Sequence, residues 1–361
     1  MHMNRIVIAS LSIVALCTSW PALAQQKIKL QVAGNLLATG LIQKNREQPF
    51  FETLAQTTGL PIDVDYKPMD TTGIKDIEGL RVLRNGLFDI VTLRVAQVSR
   101  DEPFLLGLDI VGLATDYEIA RKITASYRDA FNARLEQRYN AKLLGLWPFG
   151  PQVLFCKPEI KGLADLKGKK VRVYDQSLAK FIERLGGVPV TISFGETQQA
   201  LSLGVVECAI TGPSSANSAG WPEVTNYFMP IGFQIAFNAY AISQNAWKKF
   251  DAQQQQTLLA AFKKSEDDIW AYSKELFDDA VRCNVGQDPC TTVKKYNMKL
   301  VPVSEGDRQL VREAIGSVSL PAFSEVCDKS FPGCTAEWKK LLGPIAGVQG
   351  ATAPRPGTRC A

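Results

Sequence analysis

The residue in this 361-residue chain best suited to chemistry is an arginine. Arg172 stands between two valines in the run Val171-Arg172-Val173. A guanidinium offers a planar fork of donors that matches a carboxylate bidentately, above all in a cleft closed from water. Taken alone, an arginine in a strand is more often a paired surface charge, so the surroundings decide its role. The familiar catalytic groups are scarce. The only histidine is His2, in a segment expected to be removed. Without imidazole the mature chain runs no Ser-His-Asp or Cys-His mechanism and builds no ordinary histidine zinc site. There is no Gly-x-Ser-x-Gly elbow and no Gly-x-Gly-x-x-Gly loop. No calcium-loop pattern occurs either, so neither a metal nor a cofactor is expected. Carboxylates are plentiful, but no pair stands at a spacing diagnostic of a glycosidase.

The N-terminus suggests where the chain works. Arg5 supplies a short positive region, Ile6 to Trp20 is almost wholly apolar, and Ala22-Leu23-Ala24 precedes Gln25. That layout predicts a secretory signal peptide, residues 1–24, cleaved after Ala24, and hence a periplasmic product. The apolar run is shorter than the roughly 20 residues a membrane span needs. Leu16 is too bulky for lipoprotein processing at Cys17. Export gives the cysteines meaning, because disulfides persist in oxidising compartments. Cys283 with Cys290, and Cys327 with Cys334, each enclose a short loop with turn residues, and two local bridges are expected. Cys156 and Cys208 fall on predicted strands and read as buried small hydrophobes. Cys360 lies in a loose tail. Forty-one basic against thirty-six acidic residues, with no dense basic block, give no footprint for nucleic acid.

Strands and helices alternate along the chain, which predicts α/β architecture with parallel sheets. Strands are expected near 27–32, 62–66 and 88–93, then again near 153–156, 171–174, 188–193 and 205–210. Leu178, Phe181, Ile182 and Leu185 mark a helix by their spacing. Asp251 to Val281 reads as one long helix without Pro or Gly, about 45 Å long and able to brace two lobes. The expected layout is one lobe from 25–149 plus 238–270, a second from 150–237 plus 271–345, and a flexible tail over 346–361. Two similar lobes, export and no histidine favour a solute-binding protein that closes around a ligand by hinge motion.

From Gly162 to Val173 the sequence reads GLADLKGKKVRV, and from Gly186 to Glu207 it reads GGVPVTISFGETQQALSLGVVE. These blocks resemble the core signature of the DctP family, the periplasmic solute-binding components of TRAP transporters. In that family an arginine follows "LKG" on the next strand and a "PFxEVYxALQxGxVDG" block comes after it. Arg84 to Ile90 resembles the family's "GxxD" entry to a site-lining strand. The resemblance covers roughly residues 27–345 and implies a two-lobed periplasmic binding-protein fold with a long helix spanning both lobes. It implies capture of a small organic acid for delivery to ion-driven membrane permease subunits, without catalysis.

The same resemblance gives Arg172 the role of carboxylate ligand and Phe194 that of the aromatic packed on the ligand. Thr211 falls where many members carry asparagine, and Gln152 where some hold a second arginine. Losing that charge favours a monocarboxylate, for example an oxo-, hydroxy- or aromatic acid. Arg94 sits where some members have an acid; it supplies positive charge to the cleft or forms an ion pair within its lobe. Asn35 follows the first strand, where the family makes polar contacts. Trp147, Phe149 and Trp221 lie near the expected cleft crossings, and Asn238 near the return crossing. The alternatives are a secreted ligand-sensing subunit for a signalling receptor and a histidine-free secreted hydrolase. A monomer is expected, since no coiled coil or symmetric surface is visible.

Overall fold

The computed structural model describes residues 27–348. The expected leader with its cleavage site, Cys17, Cys360 and nearly all of the expected tail lie outside the described residues. Eleven strands form two sheets among the described residues. They are β1 (Ile28–Gly34), β2 (Ile62–Pro68), β3 (Ile90–Arg94), β4 (Ala141–Pro151), β5 (Val153–Cys156), β6 (Lys170–Val173), β7 (Val188–Thr191), β8 (Cys208–Thr211), β9 (Tyr227–Met229), β10 (Ile235–Ser243) and β11 (Lys299–Leu300). The first lobe is built on the order β2-β1-β3-β10-β4 and the second on β11-β9-β5-β8-β6-β7.

The expectation of parallel sheets needs correction. β1 runs parallel to β2 and β3, and β6 parallel to β7 and β8. However, β10 is antiparallel to both β3 and β4, and β5 is antiparallel to β8 and β9. The chain leaves the first sheet through β4, crosses with only Gln152 between strands, and enters the second sheet as β5. It returns through β10. β5, which enters the second sheet, and β10, which returns to the first, run against the βαβ units they join, so each sheet is mixed.

The helices follow their sequence signals closely where those were read. Asp175 caps the helix Gln176–Arg184 by accepting from the Leu178 N–H, and Leu178, Phe181 and Ile182 form its buried face. The helix Ala252–Asn284 opens on a capping box of Asp251 with Gln254. Along its 33 residues, about 50 Å, it packs on β4 of the first sheet and on the helix Pro213–Ser218 that follows β8 of the second. Polar contacts fix it at its middle and at its C-terminal end. Glu266 accepts from the Leu146 N–H and from both terminal nitrogens of Arg128, while Asn284 donates to the Pro213 carbonyl. The helix therefore braces both lobes. The lobes also meet at Gly40, whose φ of +87° and packing against Ser218 leave no room for a Cβ.

Several helices were not anticipated: Tyr117–Tyr139, Glu305–Ala314, Leu320–Ser330 and Cys334–Ala346. Trp338 of the last donates to the Gly107 carbonyl, which ties the C-terminal helices to the first lobe.

The expected bridges Cys283–Cys290 and Cys327–Cys334 are present. Cys156 and Cys208 are fully buried, as expected, but are joined to each other rather than left as thiols. They face one another directly across β5 and β8, with Cα atoms 4.1 Å apart. A non-local register puts them together, and no sequence spacing announces it. This bridge closes a separation of 52 residues, for which the loop-entropy model gives about 4 kcal/mol. In urea unfolding, the Cys156→Ala/Cys208→Ala double variant is expected to lose most of that stability. A loss under about 1 kcal/mol would assign the bridge no stabilising role.

Candidate functional site

Arg172 sits on β6, the strand flanked by β7 and β8, and is 1% exposed. Its Nε donates to the Ile192 carbonyl at 3.0 Å and its Nη1 to the Ile210 carbonyl at 2.8 Å. Carbonyls just beyond β7 and on β8 thus hold the guanidinium from both sides. Among the described residues Nη2 has no protein acceptor, and no carboxylate lies within ion-pair distance of this guanidinium. Its carbon lies 5.4 Å from the Tyr174 ring centre and 5.6 Å from that of Trp221. Burial, helped by repulsion from Arg94, pushes its pKa down to about 10, so it stays a cation at neutral pH.

Arg172 lines a cavity of about 620 Å³ between the lobes. Tyr174, Asp175, Ser193 and Glu196 of the second lobe share that lining with Asp76, Gln97 and Arg100 of the first. The volume suits a small metabolite.

Behind this gap the remaining predicted residues form a connected set. Phe194, the first residue of the helix Phe194–Ser202, stacks on Trp221 with ring centres 5.5 Å apart. The Arg94 guanidinium lies 5.5 Å from the Phe194 ring centre and 5.8 Å from that of Phe149. Phe149 stacks in turn on Trp147 at 6.1 Å. Asn238 of β10 pairs in register with Arg94 of β3 and with Trp147 of β4, so these three side chains share one face of the sheet. Arg94 takes the lobe-internal alternative: its Nη1 is 3.5 Å from a carboxylate oxygen of Asp76, both side chains being buried.

Three predicted residues stand apart from this set. Gln152 lies on the crossing itself, its amide donating to the Gly150 carbonyl and its backbone bonded to Phe233 and Gln234. Thr211 is buried at the end of β8, opposite Val153. Asn35 is held by its backbone N–H on Glu47, and its side-chain oxygen accepts from Leu36.

The model of the family named DctP, "bacterial extracellular solute-binding protein, family 7", matches residues 35–323. The chain belongs to this family. A solute-binding protein of Chromohalobacter salexigens is 25% identical over 158 residues, which is 41% of this chain and under half, 45%, of that relative. The C4-dicarboxylate-binding periplasmic protein DctP of Rhodobacter capsulatus is 24% identical over 239 residues, 64% of this chain and 70% of the relative. The crystal structure of DctP7, a Bordetella pertussis extracytoplasmic solute receptor binding pyroglutamic acid, superposes with a TM-score of 0.73. It is 20% identical and covers 87% of this chain and 99% of its own. The two-lobed fold is therefore that of known solute receptors.

This solute-binding protein also carries buried acids that sequence reading missed. Gln234, just before β10, places its amide nitrogen within 2.9 Å of Asp109 Oδ1 and 3.1 Å of Asp175 Oδ2, with the Tyr174 hydroxyl at 3.2 Å. Burial raises Asp109 well above the carboxylate range, and the charge of Asp175 adds to that; burial raises Asp175 to about 6. Glu47, raised to about 7 by burial, accepts from the Tyr66, Thr92 and Tyr240 hydroxyls. The capping signal of Asp175 was legible in the sequence; its burial beside a second acid was not.

A raised acid holds its proton more tightly in the folded chain than in the unfolded one. Its stabilising contribution is complete below about pH 4 and is lost as pH climbs through about 6 for Asp175. Asp175→Asn keeps the helix cap and removes that titration. It is expected to shrink the fall in Tm between pH 4.5 and 7.5, measured by scanning calorimetry. An unchanged slope would show that Asp175 titrates as an ordinary acid.

Proposed function

We propose that this protein is the extracytoplasmic receptor of a TRAP transporter, capturing a small monocarboxylate between its lobes. It would hand that cargo to the membrane permease subunits of an ion-driven carrier. One observation carries the reading: a fully buried guanidinium with no carboxylate partner among the described residues, lining a metabolite-sized gap. Such a charge is costly without an anion, and a ligand carboxylate supplies one. Arg172 is the carboxylate fork, and the stacked Phe194 and Trp221 form the apolar wall beside it. Family membership supports the transport role, and the names of the Rhodobacter and Bordetella relatives both describe binders of carboxylic acids.

The choice of a monocarboxylate rests on two departures from a doubly cationic site. Gln152 is uncharged and bonded to its own crossing, and Arg94 already has Asp76. The lobe division near residues 149–153 and 232–238 is proposed as the hinge. We read the working protein as a periplasmic monomer, freed of its leader after Ala24, that changes no covalent bond in its cargo.

Mass spectrometry of acid released from freshly purified protein identifies the cargo. With that acid, Arg172→Lys keeps a charge but loses the fork, and binding is expected to weaken about 100-fold or more by calorimetry. Arg172→Ala is expected to abolish binding while circular dichroism keeps the α/β signature. Unchanged affinity in both variants would remove Arg172 from the site and the reading with it.

A further inference from the structure

Four side chains of that connected set end in buried N–H groups with no acceptor among the described residues: Asn238 Nδ2, Trp147 Nε1, Trp221 Nε1 and Arg94 Nη1. Each of the four residues is nine-tenths or more buried. Folded proteins pair the great majority of their buried polar groups, so each exception calls for an explanation. Here the exceptions are all donors and belong to the residues that surround one stack of aromatic rings. The one unmet acceptor near them, Gln234 Oε1, belongs to the acid cluster at the crossing. A wall of donors without acceptors is the imprint of a group that only accepts.

Position and charge narrow what that group is. Arg94 and Asn238 are register partners on neighbouring strands of the first lobe, and their side chains leave the sheet on the same face. Phe194 and Trp221 connect this pair with Arg172. The Arg94 guanidinium is 5.5 Å from the Phe194 ring, Phe194 is stacked on Trp221, and Trp221 is 5.6 Å from the Arg172 guanidinium. Arg172 thus lines the gap from the second lobe, while Arg94 lies across the stack in the first, next to Asp76, which lines the same gap. The two arginines differ in one respect. Arg172 has no carboxylate beside it, whereas Arg94 has Asp76 at 3.5 Å, close enough to neutralise its charge yet without a hydrogen bond that would occupy its Nη1. Arg94 therefore offers a donor without offering a free charge.

We propose that Arg94 and Asn238 read an uncharged oxygen of the ligand, a carbonyl, amide or hydroxyl, at the end remote from its carboxylate. This rests on the assignment of the carboxylate to Arg172. The protein then selects acceptor-bearing monocarboxylic acids, such as lactam, keto or sugar acids. Plain alkyl acids are rejected because they leave the donors unmet, the most discriminating situation a buried site creates. Dicarboxylates are rejected because their second charge meets the Asp76 carboxylate behind Arg94.

The test compares pyroglutamate, orotate and glucuronate with cyclopentanecarboxylate, which has the ring size of pyroglutamate but no second acceptor, and with glutarate. Affinities are measured by calorimetry on the ligand-stripped protein. The expected result is that the best acceptor-bearing acid binds at least about 100-fold more tightly than either control. Asn238→Leu, which replaces the amide by an apolar group of similar volume, is expected to weaken that acid about 10- to 100-fold and to leave cyclopentanecarboxylate unchanged or improved. Asn238→Asp keeps the shape but replaces donors by an acceptor, and is expected to abolish binding of the acceptor-bearing acid at neutral pH. Arg172→Lys is expected to weaken every acid alike, so the two assignments fail separately. Selectivity lost in Asn238→Leu but no effect of Arg172→Lys would sink the carboxylate assignment alone. Cyclopentanecarboxylate or glutarate binding within threefold of the best acceptor-bearing acid, an equal loss for all acids in Asn238→Leu, or no response to any acceptor-bearing acid would overturn the inference.

Discussion

A guanidinium buried to 1% exposure without a carboxylate is the constraint around which this molecule is organised. Removing a cation from water is expensive, and the protein offsets part of that cost with neutral dipoles rather than with a counter-ion. The carbonyls of Ile192 and Ile210 take two of the donors. They are available only because Arg172 stands on the strand between β7 and β8, so the βαβ order of the second sheet is itself a requirement of the site. A counter-ion would have made the arginine structural. Carbonyls fix its direction and leave its charge without a counter-ion among the described residues, which is what the proposed carboxylate site requires.

The rest of the fold joins the two lobes by short links and one long helix. β4 runs into β5 through a single residue, and β10 leads the chain back, so the lobes share two short crossings. The long helix Ala252–Asn284 lies against β4 and against the helix after β8, and it limits how the lobes can move relative to one another. Across the lobes Arg94 lies beside Phe194, and Gly40 packs on Ser218. Closure without cargo buries donors that have nothing to donate to, at about 1–3 kcal/mol each. A ligand that satisfies them shifts the population toward closure by its differential affinity. Under the proposed function the unmet groups couple recognition to shape, because the closed form is well satisfied only when the correct acid is inside.

Much of this was legible in the sequence, and the parts that were not share a cause. The helix Gln176–Arg184, its Asp175 cap, the long C-terminal helix and the local bridge pairs are encoded by residues close together in the chain. Arg172 was legible because apolar neighbours flank it and a family block surrounds it. The Cys156–Cys208 bridge and the antiparallel courses of β5 and β10 depend on register between strands distant in sequence, which no local spacing records. The helix Tyr117–Tyr139 is different. Ala120, Ile123, Tyr127, Phe131 and Leu135 are buried at helical spacing behind an Asp116 cap, so its signal was present and went unread. The pairing of Asp109 with Asp175 through Gln234 was invisible for the opposite reason, since isolated acids in a sequence do not announce that they will be buried together.

The two arginines show how one fold distinguishes anion recognition from dipole recognition. Both are buried, both lie near aromatic rings, and burial lowers the proton affinity of each. The sequence singled out Arg172 by its family block and left Arg94 between a cleft charge and an ion pair within its lobe. The difference is a single acid on a short turn of the first lobe, Asp76, placed 3.5 Å from Arg94 and not beside Arg172. At that separation in a poorly solvated site the Coulombic interaction is strong, while the geometry stops short of occupying the donor. The cleft is thereby polarised: one end attracts net charge, and the other asks only for a lone pair. A ligand with one charged and one neutral polar end satisfies both in a single orientation. On the proposed assignment, specificity follows from where one carboxylate of the protein sits, and much less from the number of cations beside the aromatic stack.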